Sequence, residues 1–295
     1  MTTLLAALTA FVAFTPQALT LEEGQRRVEQ IIAASGAEVA VVYKPLPVQE
    51  GVPVADGFRI NPEMVFHAAS TMKVPVMIEA FRQAEAGGRQ LDDPIPVVNR
   101  FTSIVDGSPY QMSVSDDSDG LVYQAIGKTM TLRELVTASI TVSSNLATNI
   151  LIEVLGAENV RRTVEALGGH GMKVLRGVED QKAFDQGLNN ETTAKGLMVL
   201  LEKIATGQAV SRAASRTMSD ILRMQQFNDA IPAGLPPHVP VGHKTGNITR
   251  IHHDAGIVYA EKPYVLVVLT RGIADQDVSA KVIADISRVV YSIPR

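Results

Sequence analysis

Three short polar motifs spread along this 295-residue chain constrain its fold more than any other feature. They are, in order, Ser70-Thr71-Met72-Lys73, Ser143-Ser144-Asn145 and Lys244-Thr245-Gly246. A serine hydroxyl is a weak nucleophile at neutral pH and needs a base within hydrogen-bonding distance. On a helix, residues three apart share a face, which would bring the Lys73 amine alongside the Ser70 hydroxyl. The first motif therefore predicts a serine nucleophile with a lysine as its base.

The lysines of the first and third motifs are expected to affect each other. A free lysine has a pKa near ~10.4 and is protonated at neutral pH. Burial beside a second cation lowers that pKa, because the charged form is then disfavoured. Lys244 is the candidate second cation for Lys73. We therefore expect the two amines at one buried site.

The sequence around Ser70 predicts the start of a long helix. Apolar residues follow at helical spacing, and Ser70 and Thr71 are suited to cap its first turn. At that position the free N–H of Ser70 and the positive end of the helix dipole would face an oxyanion. Pro75 removes a helix hydrogen bond, which predicts a local distortion near Lys73.

The second motif is predicted in a turn between two helices, and the third on a strand. Thr131-Leu132-Arg133-Glu134 is a capping box that opens the first helix, and the helix after Asn145 ends at Gly156. Ser143-Ser144-Asn145 also has the composition of a helix cap, which is a structural alternative to a catalytic role. The third motif precedes the apolar run 264–269, which is typical of a buried central strand.

The ordered triplet resembles the superfamily of class A β-lactamases and penicillin-binding proteins, over residues 22–293. The resemblance implies that Ser70 is the nucleophile, that Lys73 assists it, and that Ser143 relays a proton to the leaving nitrogen. Position 144 departs from the common S-D-N form, because serine stands where aspartate is usual. That departure affects how the turn is expected to be supported, but it leaves the two catalytic positions, Ser143 and Asn145, unchanged.

The same resemblance implies the substrate-binding residues. Asn145 would hold the substrate amide, and Lys244 and Thr245 would bind a substrate carboxylate. Gly246 would let the ligand approach the backbone closely, and the N–H of Asn247 would complete the oxyanion hole with that of Ser70. Arg250 is either a second carboxylate ligand or an exposed arginine at the end of the strand.

A β-lactamase must also hydrolyse its acyl-enzyme, and class A enzymes use a glutamate on the Ω loop for this. Glu179, 34 residues after Asn145, is the candidate base, although the usual E-x-x-L-N pattern is absent. Asp180 or Asp185 could serve instead, and a solvated acidic loop is the structural alternative. An ion pair between Arg176 and Glu191 is expected to close the neck of the loop.

The resemblance implies a fold that combines an α/β part with an all-α part. An antiparallel sheet packed by the N- and C-terminal helices would form an α/β lobe from residues 21–69 and 228–295. Residues 70–227 would form an inserted helical lobe, with the active site between the lobes. The Asp-, Ser- and Gly-rich segment 94–130 is predicted to form a loop at the mouth of the site.

Composition limits the partners and cofactors. A net charge of −4 with no basic tract gives no indication of nucleic-acid binding. Without cysteine there are neither disulfides nor thiolate metal ligands, and the histidines of His252-His253-Asp254 are interpreted as strand-edge residues. No metal and no cofactor are expected. The partner is expected to be a small β-lactam or a peptidoglycan stem peptide, bound by a monomer.

The uncharged apolar stretch at the N-terminus resembles a secretory signal, and we assign residues 1–20 to it. Its length is too short for a membrane span, and a secreted or periplasmic location is expected. Four functions remain open. They are a class A-like β-lactamase, a D-Ala-D-Ala carboxypeptidase or other penicillin-binding protein, an esterase or amidase of the same fold, and a non-catalytic binding protein.

Overall fold

A computed structural model describes residues 19–48 and 54–294. Residues 1–18 of the assigned secretory signal lie outside these ranges, whereas Thr20, its last residue, caps the first helix. No helix within the described ranges is long and apolar enough to cross a membrane. The helices in these ranges are α1 (Leu21–Ser35), α2 (Lys73–Glu85), α3 (Leu121–Gln124), α4 (Leu132–Thr141), α5 (Asn145–Leu155), α6 (Ala157–Ala166), α7 (Gln181–Asp185), α8 (Ala194–Ala205), α9 (Arg212–Arg223) and α10 (Gln276–Tyr291).

Within the described residues, five strands form one antiparallel sheet, and six short strands pair outside it. The strands are β1 (Glu38–Pro45), β2 (Phe58–Ile60), β3 (Phe66–His67), β4 (Pro94–Pro96), β5 (Phe101–Thr102), β6 (Pro109–Tyr110), β7 (Thr129–Thr131), β8 (Glu191–Thr192), β9 (Val241–Ile248), β10 (Ile251–Val258) and β11 (Tyr264–Arg271). The order in the main sheet is β2-β1-β11-β10-β9, so both ends of the chain contribute to it. The prediction of an antiparallel sheet built from both chain ends is confirmed.

Both faces of this sheet are covered. Side chains of β1 and β11 alternate between two apolar clusters, as the two-residue period of a strand requires. Val41 and Val268 belong to the cluster that includes residues of α1 and α10, and Val42 and Val267 belong to the cluster that includes α2, α5 and α8. Complete burial of such a side chain contributes about 1.5–3 kcal/mol, and this explains the continuous apolar runs in both strands.

Helix α2 lies at the centre of the helical part, because its residues 73–81 are buried on every side. The helix contacts α4, α5 and α6. Its buried Glu79 accepts hydrogen bonds from Arg82 and Gln83 of its own helix and from Thr163 of α6. The helix that begins at Lys73 is therefore a rigid support for the first motif.

The local helix signals have different outcomes. The capping box at Thr131 and the end of α5 at Gly156 are confirmed. Ser70, however, lies in a 3-10 turn, Ala69–Met72, and α2 begins only at Lys73. Pro75 then falls in the first turn of α2, where a backbone N–H has no helical partner. The proline therefore removes no hydrogen bond from this helix. The predicted side-chain cap at Ser70 and Thr71 is wrong, since the N-cap residues of the 3-10 turn and of α2 are Ala68 and Met72.

Candidate active site

Residues of all three motifs line one cleft of about 340 Å³ beside strand β9. The sequence separation of these residues is large, so only tertiary packing brings them together: β9 lies against the 3-10 turn, and Lys244 of β9 reaches Ser143. The cleft is lined by Ser70, Asp116, Ser118, Ser143, Asn145, Phe227, Asp229, Thr245, Asn247, His252 and Gln276.

The turn that carries Ser70 is tightly constrained. Ala69 has a left-handed backbone, with φ of 46°, and its N–H donates to Nδ1 of His67 at 3.0 Å. Such a conformation costs a non-glycine residue about 1–2 kcal/mol. A Cβ atom at Gly246 would lie 3.2 Å from the Ser70 nitrogen and 3.2 Å from Cβ of Ala69. Glycine at 246 therefore allows β9 to lie directly against the nucleophile turn.

Ser143 joins the two buried lysines. Its hydroxyl accepts one hydrogen bond from Nζ of Lys73 at 3.1 Å and one from Nζ of Lys244 at 3.0 Å. Lys73 also donates to the Ser143 carbonyl at 2.5 Å and to Oδ1 of Asn145 at 2.8 Å. Ser143 has a φ of 58°, a strained value that aims the residue into this cluster. With both acceptor sites occupied, the Ser143 hydroxyl proton is free to donate towards the cleft.

Burial sets the protonation of the two lysines. Desolvation lowers the pKa of Lys73 to about 7, against the opposing attraction of Asp117 and Glu179. Burial, and then repulsion from Lys73, hold the pKa of Lys244 well below its usual range. The expected second-cation effect therefore acts mainly on Lys244, whereas Lys73 is shifted by burial. A lysine with a pKa of about 7 can accept a proton at neutral pH.

Asp117, which the sequence analysis missed, supports the turn that lacks an aspartate at position 144. Its carboxylate accepts hydrogen bonds from the backbone N–H groups of Asn145, at 2.8 Å, and Leu146, at 2.9 Å. The Ser144 hydroxyl donates to the same carboxylate at 3.4 Å. This charge lies at the N-terminus of α5, where the helix dipole favours an anion. No local signal marks Asp117, because 27 residues separate it from Ser144.

Glu179 is connected to the lysine cluster through Asn145. The Asn145 side chain donates to Oε1 of Glu179 at 2.8 Å while its oxygen accepts from Lys73. The Glu179 side chain is exposed, and its φ is 62°. Partial desolvation, followed by repulsion from Asp117 and Asp116, raises the pKa of Glu179 against the opposing effect of the Asn145 hydrogen bond.

The other two acidic candidates have different surroundings. Asp180 is buried and accepts hydrogen bonds from the Ser103 hydroxyl and the Ile104 N–H of the segment 94–130. Asp185 is exposed and accepts from Gln181 within α7. Of the three carboxylates, Glu179 alone is hydrogen-bonded to Asn145 among the described residues.

The Ω loop, residues 174–190, is closed in a way the sequence analysis did not foresee. The expected ion pair between Arg176 and Glu191 is wrong, because Nε of the buried Arg176 donates to the Leu188 carbonyl at 2.9 Å. Asn190 closes the neck by accepting from the backbone of Arg176 and donating back to its carbonyl. A buried arginine bonded to carbonyls keeps the loop compact, and it forms no salt bridge with a carboxylate of the described residues.

Asn149 of α5 anchors the Ω loop next to Glu179. Its side chain accepts from the Val178 N–H at 2.6 Å and donates to the Val178 carbonyl at 3.0 Å. A Cβ atom at Gly177 would lie 2.5 Å from the Asn149 oxygen, so the loop backbone packs directly against this amide. The position of Glu179 is therefore fixed from α5 at two points, Asn145 and Asn149.

The predicted binding residues on β9 and in the turn after it have different positions. Thr245 and Asn247 line the cleft, whereas Arg250 is exposed in the turn after β9 and donates to the Gly272 carbonyl at 2.6 Å. Arg250 is not among the residues that line the cleft.

The interpretation of the histidine pair as strand-edge residues is wrong. His252 and His253 are buried in β10, an inner strand of the sheet. Nδ1 of His252 lies 2.8 Å from the Ser279 hydroxyl, and Asp254 pairs with Nδ1 of His243 at 2.8 Å. The three side chains of His252-His253-Asp254 therefore have separate partners.

The fold and the composition of this cleft define a hydrolase of the β-lactamase/transpeptidase type. The chain belongs to the β-lactamase enzyme family, whose model matches residues 24–293. It is 26% identical over 232 residues to β-lactamase L2 of Stenotrophomonas maltophilia, which covers 76% of this chain and 72% of that protein.

Solved structures have the same fold. A β-lactamase from Sphaerobacter thermophilus superposes with a TM-score of 0.74 at 26% identity, covering 90% of this chain and 97% of that one. The protein PBP-A superposes with a TM-score of 0.75 at 24% identity, covering 94% and 97% of the two chains.

Proposed function

We propose that this protein is a class A-like serine β-lactamase that opens the β-lactam ring through an acyl-enzyme on Ser70. The observation that carries the proposal is a continuous hydrogen-bonded path from Lys244 through Ser143, Lys73 and Asn145 to Glu179. This path links a candidate base for acylation to a candidate base for deacylation across one amide. We also propose that the site lies between an α/β lobe, residues 21–69 and 228–295, and a helical lobe, residues 70–227.

In acylation, neutral Lys73 keeps two of its three hydrogen bonds and turns its lone pair to Ser70, and it accepts the Ser70 proton as the hydroxyl oxygen attacks the lactam carbonyl. The Ser70 oxygen–carbon bond forms, and the ring carbon–nitrogen bond breaks. Ser143 passes its proton to the leaving nitrogen and is reprotonated by the adjacent lysines. The backbone N–H groups of Ser70 and Asn247 stabilise the oxyanion, and each such donor contributes about 2.7–4 kcal/mol in known enzymes.

In deacylation, Glu179 accepts a proton from water as the water oxygen attacks the ester carbonyl. The bond between the ester carbon and the Ser70 oxygen then breaks, the Ser70 oxygen receives the proton that Glu179 had accepted, and the opened product departs. A positioned base accelerates such a step by about 10²- to 10⁴-fold. The raised pKa of Glu179 suits this role, because it makes the carboxylate a stronger base.

The substrate is a small molecule with a carboxylate next to its lactam ring. Lys244 and Thr245 bind that carboxylate, and Asn145 holds the side-chain amide. The enzyme acts as a monomer without a nucleic-acid partner, metal or cofactor. Its location is secreted or periplasmic, where β-lactams and peptidoglycan precursors occur.

One experiment tests the role of Glu179, with Asp185→Asn as the matched control on the same loop. Nitrocefin turnover and intact mass are followed together for the wild type, Glu179→Gln and the control. The glutamine keeps the shape but not the basicity, so we expect one burst followed by a persistent Ser70 adduct, while the control turns over normally. Normal turnover by Glu179→Gln would remove this residue from the mechanism.

A D-Ala-D-Ala carboxypeptidase or another penicillin-binding protein is the second candidate. The sequence after Glu179 lacks the E-x-x-L-N pattern, and the fold is similar to that of PBP-A, which has been solved as an acyl-enzyme with penicillin G in a mutant form. The same experiment separates the two functions. If the wild type itself remains acylated and releases no hydrolysed nitrocefin, the second candidate replaces the first.

A further inference from the structure

The buried His253 and the half-buried His67 connect an inner strand of the sheet to the turn that carries Ser70. The Thr270 N–H of β11 donates to Nδ1 of His253 at 3.2 Å. Nε2 of His253 lies 2.9 Å from the His67 carbonyl oxygen, and the Ala69 N–H donates to Nδ1 of His67 at 3.0 Å. This series, named here the imidazole relay, ends one residue before the nucleophile.

The partners of each ring assign its tautomer. A backbone N–H is only a donor and a carbonyl oxygen is only an acceptor. His253 therefore has a bare Nδ1, which accepts from Thr270, and a protonated Nε2, which donates to the His67 carbonyl. His67 likewise has a bare Nδ1, which accepts from Ala69, so its neutral form is protonated at Nε2.

We propose that neutral His67 is a positioning residue for Ser70, because its Nδ1 holds the left-handed Ala69 turn, and that protonation of His67 releases this turn. A proton on Nδ1 would turn the acceptor into a donor that faces another donor, the Ala69 N–H. Glycine at 246 packs against both Ala69 and the Ser70 nitrogen, so a shift of Ala69 moves the oxyanion N–H. The catalytic consequence rests on the proposed acylation of Ser70.

The surroundings of His67 favour the neutral ring. Burial, and then repulsion from Arg176 of the Ω loop, lower the pKa of His67. His253 of β10 faces it and, with a pKa of about 4 caused mainly by burial, remains uncharged. The half-buried Glu191 of β8 pairs with His67 in a two-stranded sheet and provides a carboxylate nearby. The ring of Phe184 contacts the His67 ring edge-on.

The first test needs no substrate. Long-range proton–nitrogen NMR of the full chain, with the histidine nitrogens labelled, reports which ring nitrogen carries the proton. We expect both His67 and His253 to be neutral with Nε2 protonated at neutral pH. A proton on Nδ1 of either ring would overturn the imidazole relay.

The second test compares two substitutions of His67. In His67→Asn the side-chain oxygen would occupy about the position of Nδ1, so this variant keeps an acceptor that cannot be protonated, whereas His67→Leu removes the acceptor. We expect exchange of the Ala69 amide hydrogen to stay slow in the wild type and in His67→Asn and to become fast in His67→Leu. Equal protection of that amide in all three proteins would refute the positioning role.

The third test measures acylation by a fluorescent penicillin between about pH 5 and 8. Because a small displacement of a catalytic group costs up to about 10²-fold, we expect His67→Leu to be about 10- to 100-fold slower at every pH. Below the pKa of His67 the wild-type acylation rate should fall more steeply with decreasing pH than that of His67→Asn. The variant keeps Lys73 but lacks the second titrating group, the imidazole of His67. Parallel profiles would refute the pH-dependent release, and absence of any label on wild-type Ser70 would instead refute the proposed function.

Discussion

Replacement of Asp117 tests how a distant carboxylate supports the second motif. Its carboxylate accepts the N–H groups of Asn145 and Leu146, both at the start of α5. A hydrogen bond to a charged group contributes about 1.5–3 kcal/mol, and the half-buried site lets water replace part of this. Ser144 still caps the Ala147 N–H, so the helix start survives. We therefore expect Asp117→Ala to lower the free energy of unfolding by about 2–3 kcal/mol.

The same replacement should shift the pH dependence of acylation. Asp117 attracts the Lys73 ammonium and so raises its pKa. Without that charge the pKa of Lys73 falls, a larger fraction of the amine is neutral at a given acidic pH, and the acid limb of the acylation rate moves to lower pH. Asp117→Asn separates the two effects, because it removes the charge but keeps one acceptor oxygen for the helix start.

Urea unfolding gives the stability, and labelling by a fluorescent penicillin at a series of pH values gives the acid limb. Asp116→Asn is the matched control, since this exposed neighbour also lines the cleft but makes no hydrogen bond to α5 among the described residues. The reasoning is refuted if Asp117→Asn leaves the acid limb in place, or if Asp117→Ala is as stable as the control.

Two further replacements test the packing around the nucleophile and the Ω loop. Gly246→Ala should slow acylation about 10- to 100-fold in stopped-flow labelling, because the alanine Cβ would lie 3.2 Å from the Ser70 nitrogen. Acylation at the wild-type rate would show that the turn accommodates the Cβ without displacing Ser70. Asn149→Ala removes both hydrogen bonds to Val178, so in single-turnover mass spectrometry deacylation should slow more than acylation; equal slowing of both steps would contradict a role confined to the loop that carries Glu179.

Features that depend on neighbouring residues could be predicted from the sequence. The capping box at Thr131, the end of α5 at Gly156 and the central position of the run 264–269 follow from contacts within a few residues and from the burial of apolar side chains. The three motifs indicated the family, because their residue types and order reflect one chemistry. The start of α2 was misjudged by three residues, since the left-handed Ala69 depends on packing against Gly246 rather than on local preference.

The polar pairing of the site was decided by the tertiary structure alone. Asp117 replaces the absent aspartate from 27 residues away, and Arg176 binds the carbonyl of Leu188 instead of Glu191. Burial lowers the pKa of two histidines, one on an inner strand and one on a short strand. A buried donor forms a hydrogen bond with whichever acceptor the packing brings close enough, and no sequence pattern identifies that acceptor. The sequence by itself thus determined the family and the chemistry of the three motifs, and the packing determined which polar groups support them.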